Sequence, residues 1–144
     1  MPGNRRDVLA KLKDKMDEIP EIETVVRVYK AEFDITQYTM AQLPLITIPE
    51  PAEDTAQECT SQHSMMALDT KMTVYFLDWA EDPDGTKYEA LKKKIRDKIG
   101  ANFTLDDKAE EARVASVSLV LGTMPVYNFV VGMEMRYYLD EQAT

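Results

Sequence analysis

Several kinds of chemistry lack their raw material in this chain of 144 residues. Its one cysteine, Cys59, forms no internal disulfide, and its one histidine, His63, leaves a structural zinc site without the four spaced ligands it needs. The opening MPGNRRDVLAKLKDK has no apolar stretch of the kind a secretory signal carries; with the lone cysteine it predicts a reducing, cytoplasmic setting. No uninterrupted run approaches the roughly 18 apolar residues of a membrane helix; the best stretches are residues 126–133 and 115–121. Basic residues are short too, 17 against 26 acidic, and the net charge of -9 disfavours bulk binding to phosphate backbones. What is present, 44% apolar and 30% charged residues, is the balance of a soluble globular protein with one core, and two full domains do not fit the length.

Val8, Leu12, Met16 and Ile19 follow one another at steps of four, four and three, the stripe of an amphipathic helix over about 5–18. Asn4 is placed to cap it, Asp7 favours its positive end, and Pro20 forbids its continuation. Residues 24–30 (TVVRVYK) and 44–48 (PLITI) read as strands. Between them and the next periodic run, PEPAEDTAQECTSQHS over 49–64 has no period at all and reads as a long loop. A long strand follows, with Met66, Leu68, Met72, Val74 and Phe76 on one face and Asp69, Lys71, Thr73, Tyr75, Leu77 and Trp79 on the other. Thr86 and Glu89 form a T-x-x-E capping box that opens a helix striped by Tyr88, Leu91, Ile95 and Ile99, with Gly100 placed to supply a left-handed stop. Residues 114–121 and 126–139 close the chain as a hairpin. The prediction is an α+β fold: a roughly five-stranded mixed sheet, two helices packed on one face, and a long loop between the second and third strands.

No catalytic, cofactor-binding or metal-binding residue is assigned. Cys59 and His63 have the residue types of a nucleophile and its base, but no nucleophile elbow or phosphate loop accompanies them, so a solvated loop pair is the favoured reading. Asp78, Glu81, Asp82 and Asp84 precede Gly85, yet the calcium-loop register would place Ala80 and Leu91 where oxygen ligands are required; a hydrated turn fits better. Lys92, Lys93, Lys94, Arg96 and Lys98 form the one basic cluster, diluted by Glu89 and Asp97, and read as a solvated helix face. The methionines at 65, 66, 72, 133 and 135 read as core filler. Tyr75, Leu77, Trp79, Val130 and Tyr138 lie on the sheet face away from the helices, and several apolar groups there predict a subunit interface.

The stretches RRDVLAKLKDKM, TVVRVYKAE, LPLITIPEP before an acidic loop, KYEALKKKIRDKI and the closing MEMRYYLDE, in that order and spacing, resemble the tail terminator proteins of long-tailed bacteriophages, also called tail completion or head-to-tail joining proteins. The resemblance implies an α+β fold without an active site. It also implies a homo-oligomer, a hexameric ring at the head-proximal end of the tail that halts tube polymerisation. Its partners would be the tail tube protein and the neck or connector proteins, with DNA passing through the lumen without specific binding and no membrane involved. The implied location is the virion, after assembly in the host cytoplasm. Glu53, Asp54 and Glu58 are then candidates for the lumen or for a partner-binding loop. The alternatives are a neck or head-closure protein of related fold and, from a different class, a small bacterial ligand-binding or regulatory domain.

Overall fold

The structure, a computed structural model, describes residues 2–3, 5–28, 35–49, 53–59, 64–77, 86–106, 109, 111–123 and 126–139. Helix α1 runs over Arg5–Asp17. Val8, Leu9, Leu12 and Met16 have no exposed surface, and Ile19 just beyond the helix end is buried too, so the predicted stripe is the buried one, widened by Leu9. The predicted cap Asn4 lies outside the described residues. Helix α2 runs over Thr86–Ala101 and buries Leu91, Ile95 and Ile99.

Gly100 does not stop α2, contrary to the sequence-based expectation; it lies inside the helix. Asn102 performs that task instead, its side-chain amide donating to the Lys98 carbonyl at 2.8 Å and satisfying an orphan acceptor of the last turn. The left-handed residues come later, at Leu105 (φ 48°) and Asp106 (φ 56°). That conformation costs roughly 1–2 kcal/mol per non-glycine residue. Full burial of Leu105 offsets it, and Asp106 is gripped from α1 by Lys15 at 3.1 Å and Lys11 at 3.5 Å.

The sheet is mixed and holds seven strands: β1 (Pro2–Gly3), β2 (Thr24–Val28), β3 (Leu45–Pro49), β4 (Glu53–Cys59), β5 (Ser64–Leu77), β6 (Glu111–Thr123) and β7 (Val126–Leu139). They occupy five ranks, because β3 and β4 lie end to end along one edge of β5, and β6 and β1 share the outer edge of β7. β2 is parallel to β3, β1 is parallel to β7, and the remaining pairs are antiparallel. The predicted fold class therefore stands. Within the span predicted as a loop, residues 53–59 form a strand. Their composition is poor in strand formers, and what holds them extended is the lower half of β5, whose edge β3 leaves unpaired. Pro49, which has no amide hydrogen to give a ladder, is the last residue of β3.

Both helices cover the same side of the sheet. One core joins α1 and α2 to alternate residues of the strands: Ile46 and Ile48 on β3, Leu68, Met72, Val74 and Phe76 on β5, and Phe129, Val131, Met133, Met135 and Tyr137 on β7. Phe129 is its aromatic centre, edge-on to Phe76 at 5.8 Å and to Tyr88 of α2 at 5.1 Å, contacts worth about 1 kcal/mol each beyond area burial. Met72, Met133 and Met135 are buried in this core, the filler role their spacing predicts. One residue on this side conflicts with its surroundings. Thr70, opposite Met133, is 4% exposed, and its hydroxyl has no hydrogen-bond partner among the described residues. Replacing Thr70 by Val is expected to raise stability by about 1 kcal/mol, seen as a higher urea midpoint at unchanged slope.

A second expectation concerns pH. Hydrogen bonding to Asp106 raises the Lys15 ammonium above its ordinary 10.5. Hydrogen bonding to Lys15 holds Asp106 below 3.8, and hydrogen bonding to Lys98 holds Glu18 below 4.5. A depressed carboxylate contributes stability above its ordinary pKa and loses it as pH falls through the depressed value; the raised lysine contributes below 10.5 and loses it on the alkaline side. The cluster is thus complete through neutral pH and fails in acid. Asp106→Asn, which tolerates the left-handed backbone, should flatten the acid limb of a melting-temperature profile below about pH 4.

Candidate interaction surface

The side of the sheet away from the helices is organised in rows, because residues directly opposite in a ladder point the same way. One row runs Thr24, Leu45, Tyr75, Asn128, Val120; the next on this side runs Val26, Thr47, Thr73, Val130, Ser118. Leu45 and Thr47 are buried although they belong to this side, so it is covered at its β2–β3 end. The Thr47 hydroxyl donates to the Thr73 carbonyl at 3.5 Å. Tyr75 is half-buried, and that burial pushes its phenol above the usual 10.0.

Further along the strands the character changes. Glu111 lies opposite Arg136 and Arg113 opposite Glu134, and both arginines donate to those carboxylates. Asp69, opposite Glu134, adds a third acid. These groups, with Ala67, line a shallow cavity of about 480 Å³. Two antiparallel pairs of opposite charge neutralise one another on a surface that stays wet. Around the edge of β6 a second cavity of about 590 Å³ lies beneath the end of α2, lined by Arg96, Phe103, Arg113 and Val114 among others. Phe103 is 54% exposed.

The basic face of α2 is largely neutralised: Lys92 pairs with Glu89 at 2.9 Å, Lys93 with Asp97 at 2.7 Å, Lys94 with Glu21 at 3.5 Å and Lys98 with Glu18 at 2.8 Å. The last two pairs tie α2 to the chain that follows α1. Arg96 alone of the five has no ion-pair partner among the described residues.

Of the predicted interface residues, Tyr75 and Val130 lie on adjacent open-side rows and are half-buried. Leu77 and Tyr138 occupy ladder positions of the same parity, paired with Val126 and Met65. Tyr75 and the Met65–Tyr138 rung are ten residues apart along β5, about 33 Å. The register therefore separates Tyr138 from the other three and sets the charged rows between them. Trp79 and His63 lie outside the described residues, as do the acids at 78, 81, 82 and 84. Glu53, Asp54 and Glu58 fall on β4 opposite Asp69, Leu68 and Met65, and Cys59 ends that strand opposite Ser64. Successive residues of a strand face opposite ways, so Glu53 and Asp54 belong to different sides of the sheet.

Among the described residues no group of three or more His, Cys, Asp or Glu side chains is arranged to hold a metal ion. No described helix is long and apolar enough to cross a membrane. No protein-family model matches the chain, and comparison with curated proteins finds no match.

Sequence reasoning passed over Glu111, Arg113, Glu134 and Arg136. Their signal is the closing hairpin itself: each arm carries an acid followed two residues later by a base, EAR over 111–113 and EMR over 134–136, so that antiparallel pairing sets each acid opposite a base. The pairs are exposed, Arg113 by 60% and Glu134 by 45%, which bounds their worth. A double-mutant cycle with Arg113→Ala and Glu134→Ala should return a coupling of about 0.5 kcal/mol that fades in high salt.

Proposed function

We propose that this protein is a structural, non-enzymatic component of a phage virion that forms a ring, of six subunits, at the head-proximal end of the tail tube. There it stops tube polymerisation and joins the tail to the neck. The reading is supported by one observation together with the sequence resemblance: both helices sit on one side of the sheet, leaving the part of the other side beyond its covered β2–β3 end, and the outer strands β2 and β6, for identical neighbours. Mechanism here is geometry. A heterologous contact repeated with a fixed rotation closes into a ring, one rim of which matches the tube and the other the connector. The net charge of -9 suits a channel through which DNA must slide, because like charge keeps phosphates off the wall.

Native mass spectrometry or light scattering tests the reading. A hexamer is expected, or a monomer that assembles on the ends of purified tail tubes. A stable dimer without affinity for tubes would overturn it, and binding to filled heads but not to tubes would move the protein to the neck.

A further inference from the structure

The five ranks of the sheet end in two edges that match each other. On one side β2 is the outermost strand; on the other it is β6. No described strand pairs with the outer edge of either. The two ends of the β6 edge are treated differently. Near its start the edge is plugged from within the chain, where the Ala112 amide donates to the Phe103 carbonyl at 2.6 Å. Register shifts at 114/116 and 120/123 then isolate a regular stretch of five residues, 116–120. β2 is also five residues long.

Level and direction agree as well. The rows show Thr24 level with Val120, Val25 with Leu119 and Val26 with Ser118 across the whole sheet. A copy displaced straight sideways would bring those residues face to face without sliding along the strand axis. β2 runs opposite to β6, so the junction would be an antiparallel ladder, the arrangement of most strand pairs in this sheet. Leu119 and Val120, 49% and 42% exposed, are two of the four large apolar residues left in water among the described residues, and both stand on this stretch. Natural edges are usually blunted by charge or proline, and SVSLV over 116–120 has neither.

We infer that residues 116–120 of β6 receive β2 of a neighbouring copy as an antiparallel strand, so that the sheet continues from subunit to subunit. The inference rests on the ring reading, for which it names the lateral contact.

Disulfide trapping tests it in the full chain with Cys59→Ser as background. Val26→Cys and Ser118→Cys together are expected to cross-link under mild oxidation into a ladder that extends beyond dimers, since opposed strand residues lie within disulfide reach. Neither cysteine alone should cross-link. A Ser118→Cys variant that dimerises by itself would show β6 meeting β6 and overturn the inference. Leu119→Asp with Val120→Asp is the second arm: both residues are exposed, so thermal unfolding should be unchanged while association weakens at least tenfold. Rings that persist in this variant, with no 26–118 cross-link, overturn the edge contact and leave the ring standing. A wild-type chain that stays monomeric even on tube ends overturns the ring itself.

Discussion

Fourteen consecutive rungs join β5 to β7 with no register shift, and every other strand takes its level from that ladder. β3 and β4 are placed along one side of it, β6 and β1 along the other. A slip of one residue would turn Leu68, Met72, Val74 and Phe76 into solvent and expel Phe129 from beneath α2, so burial on the helix side enforces the pairing. The same ladder sorts the other side into an uncharged half and a charged half. Its neutral rows pass through Tyr75 and Val130, its charged ones through Glu134 and Arg136.

The helices are locked to that frame from two directions. Packing supplies most of the hold, through the stripes on α1 and α2. Ion pairs fix the ends: Lys15 and Lys11 hold the turn after α2, while Lys94 and Lys98 reach the segment after α1. A face that reads as a basic patch in one dimension is, in three, mostly half of a set of neutral pairs. That outcome favours the solvated reading of the lysines over docking to an anionic partner.

Legibility followed the range of the forces involved. Both helix stripes, the alternation of β5 and the closing hairpin are local patterns, and they were plain from spacing alone. β4 was not, because EDTAQEC holds a single β-branched strand former, Thr55; its strand character comes from pairing with β5. β1 is two residues whose partners lie at the far end of the chain. The end of α2 was misread because glycine is the commoner stop, whereas here an asparagine side chain takes the role. On the open side, parity was legible and level was not. Tyr75 and Tyr138 share a face by counting in twos, but only the register shows how far apart their rungs lie.

The width of the sheet sets a dimension. Five ranks spaced about 4.8 Å apart make each subunit roughly 24 Å across. In the proposed ring, six such sheets joined at their edges with strands standing along the axis would give a circumference of about 144 Å and a mid-sheet diameter of about 46 Å. Side chains on the inner wall take about 5 Å from each side and leave a bore of about 36 Å. In that proposed ring a DNA duplex would have room to pass with a jacket of water, and Arg113 and Arg136 are in any case already held by Glu134 and Glu111.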